Sequence, residues 1–233
     1  MNYCFIDFEM ICPDSGRTMS NTEIISIGAI ITDHKFNIID QFNTIIRPGK
    51  NHVVPSRIIE LTGITQEMVD SADNFATCFN RFGEWLKPYK VYQLITWGNF
   101  DSFGLICSFR NNKYKGPYKY LVNKIYDIQP IVSESIIYKQ KPVTNEWSLL
   151  DACKIYGITN QLKNHNALDD AIMLSLVFKA YVTKQPYTDF LKYKARLINL
   201  RKEKAELKNL ENKIKQEEDN IKRLYSHYIN GNI

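Results

Sequence analysis

Between Tyr3 and Ile46 the chain carries three runs of β-branched and aromatic residues joined by short links. Tyr3-Cys4-Phe5-Ile6 leads into Asp7-Phe8-Glu9, and Glu23 to Ile31 is largely isoleucine. Phe36 to Ile46 follows a turn at Asp33-His34-Lys35. Runs spaced this way read as an antiparallel meander, which Pro48-Gly49 ends. The period then changes. Apolar residues recur at spacings of three and four over Pro55–Leu61 and Ala76–Leu86, the mark of amphipathic helices. Tyr92–Trp97 reads as a fourth strand, Phe100–Phe109 as the helix after it, and Lys124–Asp127 as a short fifth strand. Further helices are expected over Ile128–Ile137, Trp147–Tyr156 and Ala167–Tyr181. Strands followed by alternating helix and strand within about 185 residues give an α/β domain.

The remaining residues differ in kind. Tyr193, Leu200, Leu207, Ile214, Ile221 and Tyr228 recur every seventh position, while the companion row is half polar: Arg196, Glu203, Leu210, Glu217, Leu224. A heptad row favours a helix-to-helix contact. The extension, residues 186–233, therefore reads as a long amphipathic helix or a helical hairpin. Either it is a weak dimerisation or partner-binding element, or it packs on its own domain. It holds eleven Lys or Arg against seven Asp or Glu, so +4 of the net charge of +5 sits there. A modest basic balance suits a polyanionic partner without establishing one. No stretch of eighteen apolar residues argues for a membrane span, and MNYCFIDFEM lacks a basic leader. The five cysteines contain no CxxC pair and read as reduced, buried residues. Together these point to a cytoplasmic protein.

Three elements carry chemistry. Residues two apart on a strand face the same side, so Asp7 and Glu9 present two carboxylates together, with Phe8 opposite. Such a pair is costly unless a cation neutralises it. Asp101 falls in the first turn of a helix behind a turn at Gly98, where an acid also complements the helix dipole. His165 precedes a helix that carries Asp170 five residues on. Asp169, its neighbour, is placed toward solvent.

In order and in interval, Asp7-Phe8-Glu9, Asn99-Phe100-Asp101 and His165-Asn166-Ala167-Leu168-Asp169-Asp170 resemble the three motifs of the DEDDh subgroup of DnaQ-like 3′→5′ exonucleases, over roughly residues 1–184. Within it the likeness is greatest to the ERI-1 and KapD-like branch. Glu23 to Ala29 is similar to that group's second strand, and Leu61-Thr62-Gly63-Ile64-Thr65 to a loop near the terminal nucleotide. The resemblance implies an RNase H-like fold over residues 1–185, with a central five-stranded mixed sheet flanked by helices. It also implies that Asp7, Glu9, Asp101 and Asp170 hold two Mg²⁺ or Mn²⁺ ions, with His165 as general base. Oxygen donors suit those hard cations. The implied reaction releases 5′-mononucleotides from the 3′ ends of single-stranded RNA or DNA. The alternative is a nucleic-acid- or protein-binding module with little turnover. Met10-Ile11-Cys12 stands where relatives often have small residues. Phe8, Met10, Ile64, Asn99 and Asn166 are the expected substrate contacts, Phe8 the least secure because strand alternation argues for its burial. Arg110–Lys119 reads as a solvated loop rather than a phosphate track, and Trp97 and Trp147 as core.

Overall fold

A computed structural model describes residues 2–12, 22–50, 53–135, 147–158, 162, 165–183 and 187–230, and within the last segment the side chains of 199–220. The chain divides into two compact units, Met1–Lys184 and Gln185–Ile233.

The first unit is built on five strands: β1 (Tyr3–Ile11), β2 (Glu23–Thr32), β3 (Ile38–Ile45), β4 (Leu94–Thr96) and β5 (Ile125–Asp127). Their order across the sheet is β3-β2-β1-β4-β5. The meander expected from the isoleucine runs forms: β1 pairs antiparallel with β2, and β2 with β3. The strands that follow helices join in parallel, β4 on β1 and β5 on β4. All ten residues of β2 are buried, as an unbroken apolar run requires when both faces of a sheet are covered.

Among the described residues this unit has seven α-helices: α1 (Ser56–Thr62), α2 (Gln66–Ser71), α3 (Phe75–Leu86), α4 (Phe100–Asn111), α5 (Gln129–Ser135), α6 (Leu149–Ile155) and α7 (Ala167–Thr183). Asn74 caps α3 by accepting from the Thr77 amide at 3.0 Å, and Ser148 caps α6 through Asp151 at 3.1 Å. Such caps satisfy amides that a helix start leaves unpaired. The short α2 follows the stretch Leu61–Thr65, and its cap is Thr65. The end of the helix expected over Ile128–Ile137 lies outside the described residues.

Alternation along β1 sorts its side chains into two layers. Cys4, Ile6, Phe8 and Met10 pack with Phe75, Phe79 and Phe82 of α3 and Leu105 and Phe109 of α4. Phe5 faces the other way, toward Ala152 and Cys153 of α6 and Met173, Leu174 and Val177 of α7. Phe79 is fully buried and touches the rings of Phe75, Phe82, Phe109 and Tyr114. Truncating it to Ala should cost about 3–5 kcal/mol. The stretch Arg110–Lys119 is not wholly a solvated loop, because Tyr114 and Tyr118 are buried in that same layer. Their rings have more apolar area than the surface can tolerate without loss. Trp97 and Trp147 pack against the second layer, as expected.

The second unit is one helix, α8 (Tyr187–Asn230). The hairpin alternative is thereby corrected: no Gly or Pro occurs between Thr188 and Ile229, so nothing breaks the helix. Leu200, Leu207, Leu210 and Ile214 are exposed along it. Among the described residues no helix is long and apolar enough to cross a membrane.

Candidate active site

Asp7 and Glu9 lie on the face of β1 turned toward α7. Asp7 pairs with Gly28 on β2, and Glu9 with Ser26, just before a bulge at Glu9/Met10. Gly28 determines how near α7 can come. A Cβ there would sit 2.1 Å from the Ala167 carbonyl carbon and the Leu168 nitrogen. Without it, the first turn of α7 rests directly on the strand and delivers Asp170 to the β1 acids. Ligand oxygens of Asp7, Glu9 and Asp170 all lie within 4.8 Å of one another.

Asp101 arrives from the opposite layer. At Gly104 a Cβ would meet the Met10 sulfur at 2.2 Å, so α4 too approaches β1 closely. Asp101 Oδ1 accepts from the Phe8 amide at 3.2 Å across the sheet. The turn that launches α4 is fixed by Asp127, at the end of β5, which accepts from the Gly98 amide at 2.8 Å and the Gln129 amide at 2.9 Å. Gly98 has φ +95°, a conformation open to glycine. Asp127 is a positioning residue that sequence reading passed over. An acid closing the short run Ile125-Tyr126-Asp127 was its signal.

The electrostatics follow from this crowding. Burial raises the Asp7 pKa well above the carboxylate range, and the charges of Asp101, Glu9 and Asp170 raise it further. Burial and then Asp170 push Glu9 up to about 7. Asp101 is also raised well above its usual value, by burial first, although the Phe8 amide works against the shift. Asp170 stands at about 6, raised mainly by burial and held back by the His165 amide. Four acids that resist ionisation together form a site short of positive charge.

A cavity of about 320 Å³ opens beside the acids. Glu9, Gly63, Ile64, Met68, His165 and Asn166 are among the residues lining it. His165 is exposed, with φ +60°, and its amide donates to Asp170 Oδ2 at 3.0 Å. The left-handed turn sets His165 just before α7, where it lines the same cavity as Glu9. Asn166 lines the cavity and also caps α7, its Oδ1 accepting from the Asp169 amide at 3.2 Å. The expected contacts at Ile64 and Asn166 thus reach the cavity. The other three do not line it. Phe8 and Met10 are buried in the α3–α4 layer: strand alternation sends both to the face opposite Asp7 and Glu9, Met10 against Gly104. Asn99 lies at the start of α4 and lines a separate surface hollow with Phe100, Ser102, Phe103 and Ile106. Sequence reading missed Met68, Asn43 and Ser26 on the cavity wall. Neither their residue types nor their spacing in the chain marked them.

Comparison with known proteins follows this geometry. Residues 4–178 match the family model described as exonuclease, of RNase T type. The Bacillus subtilis probable 3′-5′ exonuclease KapD is 28% identical over 186 residues, covering 79% of this chain and 86% of that protein. Human 3′-5′ exoribonuclease 1 is 33% identical over 121 residues, 48% of this chain and 34% of that protein. The chain therefore spans most of the bacterial relative but about a third of the human one. The nuclease domain of 3′hExo, a DEDDh family member solved bound to rAMP, superposes with a TM-score of 0.66 at 26% identity. That match covers 78% of this chain and 91% of that domain.

Proposed function

Because this chain belongs to the RNase T exonuclease family, we propose that it is a metal-dependent 3′→5′ exonuclease releasing 5′-mononucleotides from single-stranded RNA or DNA. The observation that carries the reading is the convergence of Asp7, Glu9, Asp101 and Asp170, from β1, α4 and α7, beside a cavity that also holds His165.

The donor set fits a hard divalent cation. It is all carboxylate oxygen, and its raised pKa values are the signature of charge that a cation would relieve. Asp7, Glu9, Asp101 and Asp170 would hold two Mg²⁺ or Mn²⁺ ions, which supply Lewis-acid stabilisation of the charge on the attacking and leaving oxygens. The chain's own residues do the rest. His165 accepts the proton of the attacking water at an imidazole nitrogen, and its backbone amide holds Asp170 in place. Gly63 and Ile64 give the cavity an apolar wall for the terminal nucleoside, a contact that ignores base identity. The bond that breaks joins phosphorus to the 3′ oxygen of the preceding nucleotide, and that oxygen leaves with a proton.

We assign this chemistry to residues 1–185 and regard 186–233 as an extension serving self-association or a protein partner. A cytoplasmic location is the setting proposed for it. The test uses matched RNA and DNA oligonucleotides, single- and double-stranded, with Mg²⁺, Mn²⁺ or EDTA. Mononucleotide release from the 3′ end with either metal, and none with EDTA, supports the reading. Binding without release under every condition would leave a binding module instead.

A further inference from the structure

The exposed row on α8 has no counterpart in the chemistry above, and its charges select a partner. We propose that α8 pairs with a second copy of itself, antiparallel, about an axis between Lys208 and Asn209. Leu200, Leu207, Leu210 and Ile214 are each 52–61% exposed on an uninterrupted 44-residue helix, and their spacings of seven, three and four set them along one stripe.

In a two-helix seam, Leu200, Leu207 and Ile214 occupy one core row, with Glu203, Leu210 and Glu217 in the other. A parallel pair in register sets each residue against itself. Glu203 would then face Glu203 and Glu217 would face Glu217 inside the seam, and Glu206 would flank Glu211 of the second copy. Like charges so placed destabilise the pair. Reversing one helix sets one core row against the other, and the flanks then decide the register. With the axis between residues 208 and 209, Leu207 meets Leu210 of the second copy. On the flanks Lys204 meets Glu211 and Glu206 meets Lys213, each contact occurring twice by symmetry. Glu203 also lies beside Lys213 rather than beside another acid. Sliding the axis half a heptad toward the C-terminus sets Glu211 on Glu211 and Lys213 on Lys213. Sliding it the other way sets Lys204 on Lys204 and Glu206 on Glu206. Of these alignments, the one about 208/209 makes every charged flank contact attractive.

The inference is independent of the nuclease reading and is tested without measuring activity. The full-length protein, with Cys12→Ser to remove the half-buried thiol, takes a single spin label at position 219 through Asp219→Cys. In the antiparallel dimer that position lies 21 residues along the axis from its symmetry mate, giving a separation of about 30 Å by dipolar spectroscopy at 1.5 Å per residue. A parallel pair brings the labels to roughly the width of two helices, about 10–20 Å. Sedimentation equilibrium supplies the second readout. Lys204→Glu turns two attractive contacts repulsive and should weaken the dimer by roughly tenfold, and adding Glu211→Lys should restore it. Helical content by circular dichroism establishes that each variant keeps α8. A monomer at every concentration, a short label distance, or failure of the double charge swap to restore the dimer each overturns the proposal.

Discussion

The molecule keeps two kinds of carboxylate. Where α4 and α7 meet β1, Asp7, Glu9, Asp101 and Asp170 are withdrawn from solvent with no cationic partner, and burial first, then neighbouring acids, raises their pKa values. Around α3 the same functional group behaves oppositely. Asp40 accepts from Tyr89 and from the Trp85 indole at 2.9 Å, and Glu84 accepts from Tyr118 and Lys87. Both are lowered, Asp40 chiefly by Tyr89 and Glu84 chiefly by Lys87. The difference lies in what the fold supplies. Acids given donors are complete as they stand and serve stability. Acids buried beside other acids lack a compensating charge, and in the proposed function a cation supplies it.

Substitution breaks the contrast most sharply. Asp7→Ala or Asp170→Ala should lower mononucleotide release by on the order of a thousandfold, since metal-held charge stabilisation amounts to several kcal/mol, while circular dichroism remains native. Asp169→Asn should be much milder, because Asp170 is the acid that joins Asp7 and Glu9. Wild-type rates in both alanine variants would show that the cluster is an accident of packing.

Acidity sharpens it next. In EDTA, the raised acids bind more protons in the folded state than in the unfolded state between the ordinary carboxylate range and about pH 7. Stability should therefore be full below that range and fall as pH rises through about 6 for Asp170 and 7 for Glu9. Each rise of a little over two pH units corresponds to about 3 kcal/mol, so the loss should total on the order of 6 kcal/mol, measured by urea unfolding. The α3 acids have the opposite sign: Asp40 and Glu84 contribute above the carboxylate range and lose their contribution as pH falls through their lowered values. Mg²⁺ at a hundred times its dissociation constant should add about 2.7 kcal/mol at neutral pH. Asp7→Asn should forfeit most of that gain.

How far this contrast was legible in the sequence depended on range. The isoleucine runs and the three-and-four spacings are local, so the meander, α3, α4 and α7 could be read directly. The five residues of the proposed chemistry were legible because Asp7 and Glu9 interrupt an apolar strand and Asp101, His165 and Asp170 stand in or just before the first turn of a helix, where their type is conspicuous. Gly28 and Gly104 were not, although they let α7 and α4 press on the sheet and so draw the acids together. A glycine's reason for being small is a contact with a segment distant in sequence. Met10 was legible too: strand alternation sets it with Phe8 on the face opposite Asp7 and Glu9, and it is buried there. Asp40 was as silent as the glycines, since its donors, Trp85 and Tyr89, lie 45 and 49 residues away.

That silent carboxylate provides the finest test of the distinction. Tyr89→Phe removes one hydroxyl donor from Asp40 and leaves the Trp85 indole and the Gln41 amide, at 2.9 and 2.7 Å. The loss should be about 1 kcal/mol of stability at neutral pH, modest because Asp40 keeps two donors and solvent access. It should shrink on acidification as Asp40 protonates. The midpoint of acid unfolding should move to higher pH, because an acid with fewer donors is protonated sooner. Nucleolytic rate and metal-linked stabilisation should be unchanged, since Asp40 does not line the cavity beside His165. If Tyr89→Phe instead altered the rate as much as it altered stability, the two sets of carboxylates would be coupled through the sheet. The division between structural and functional acids would then not be a property of their immediate surroundings.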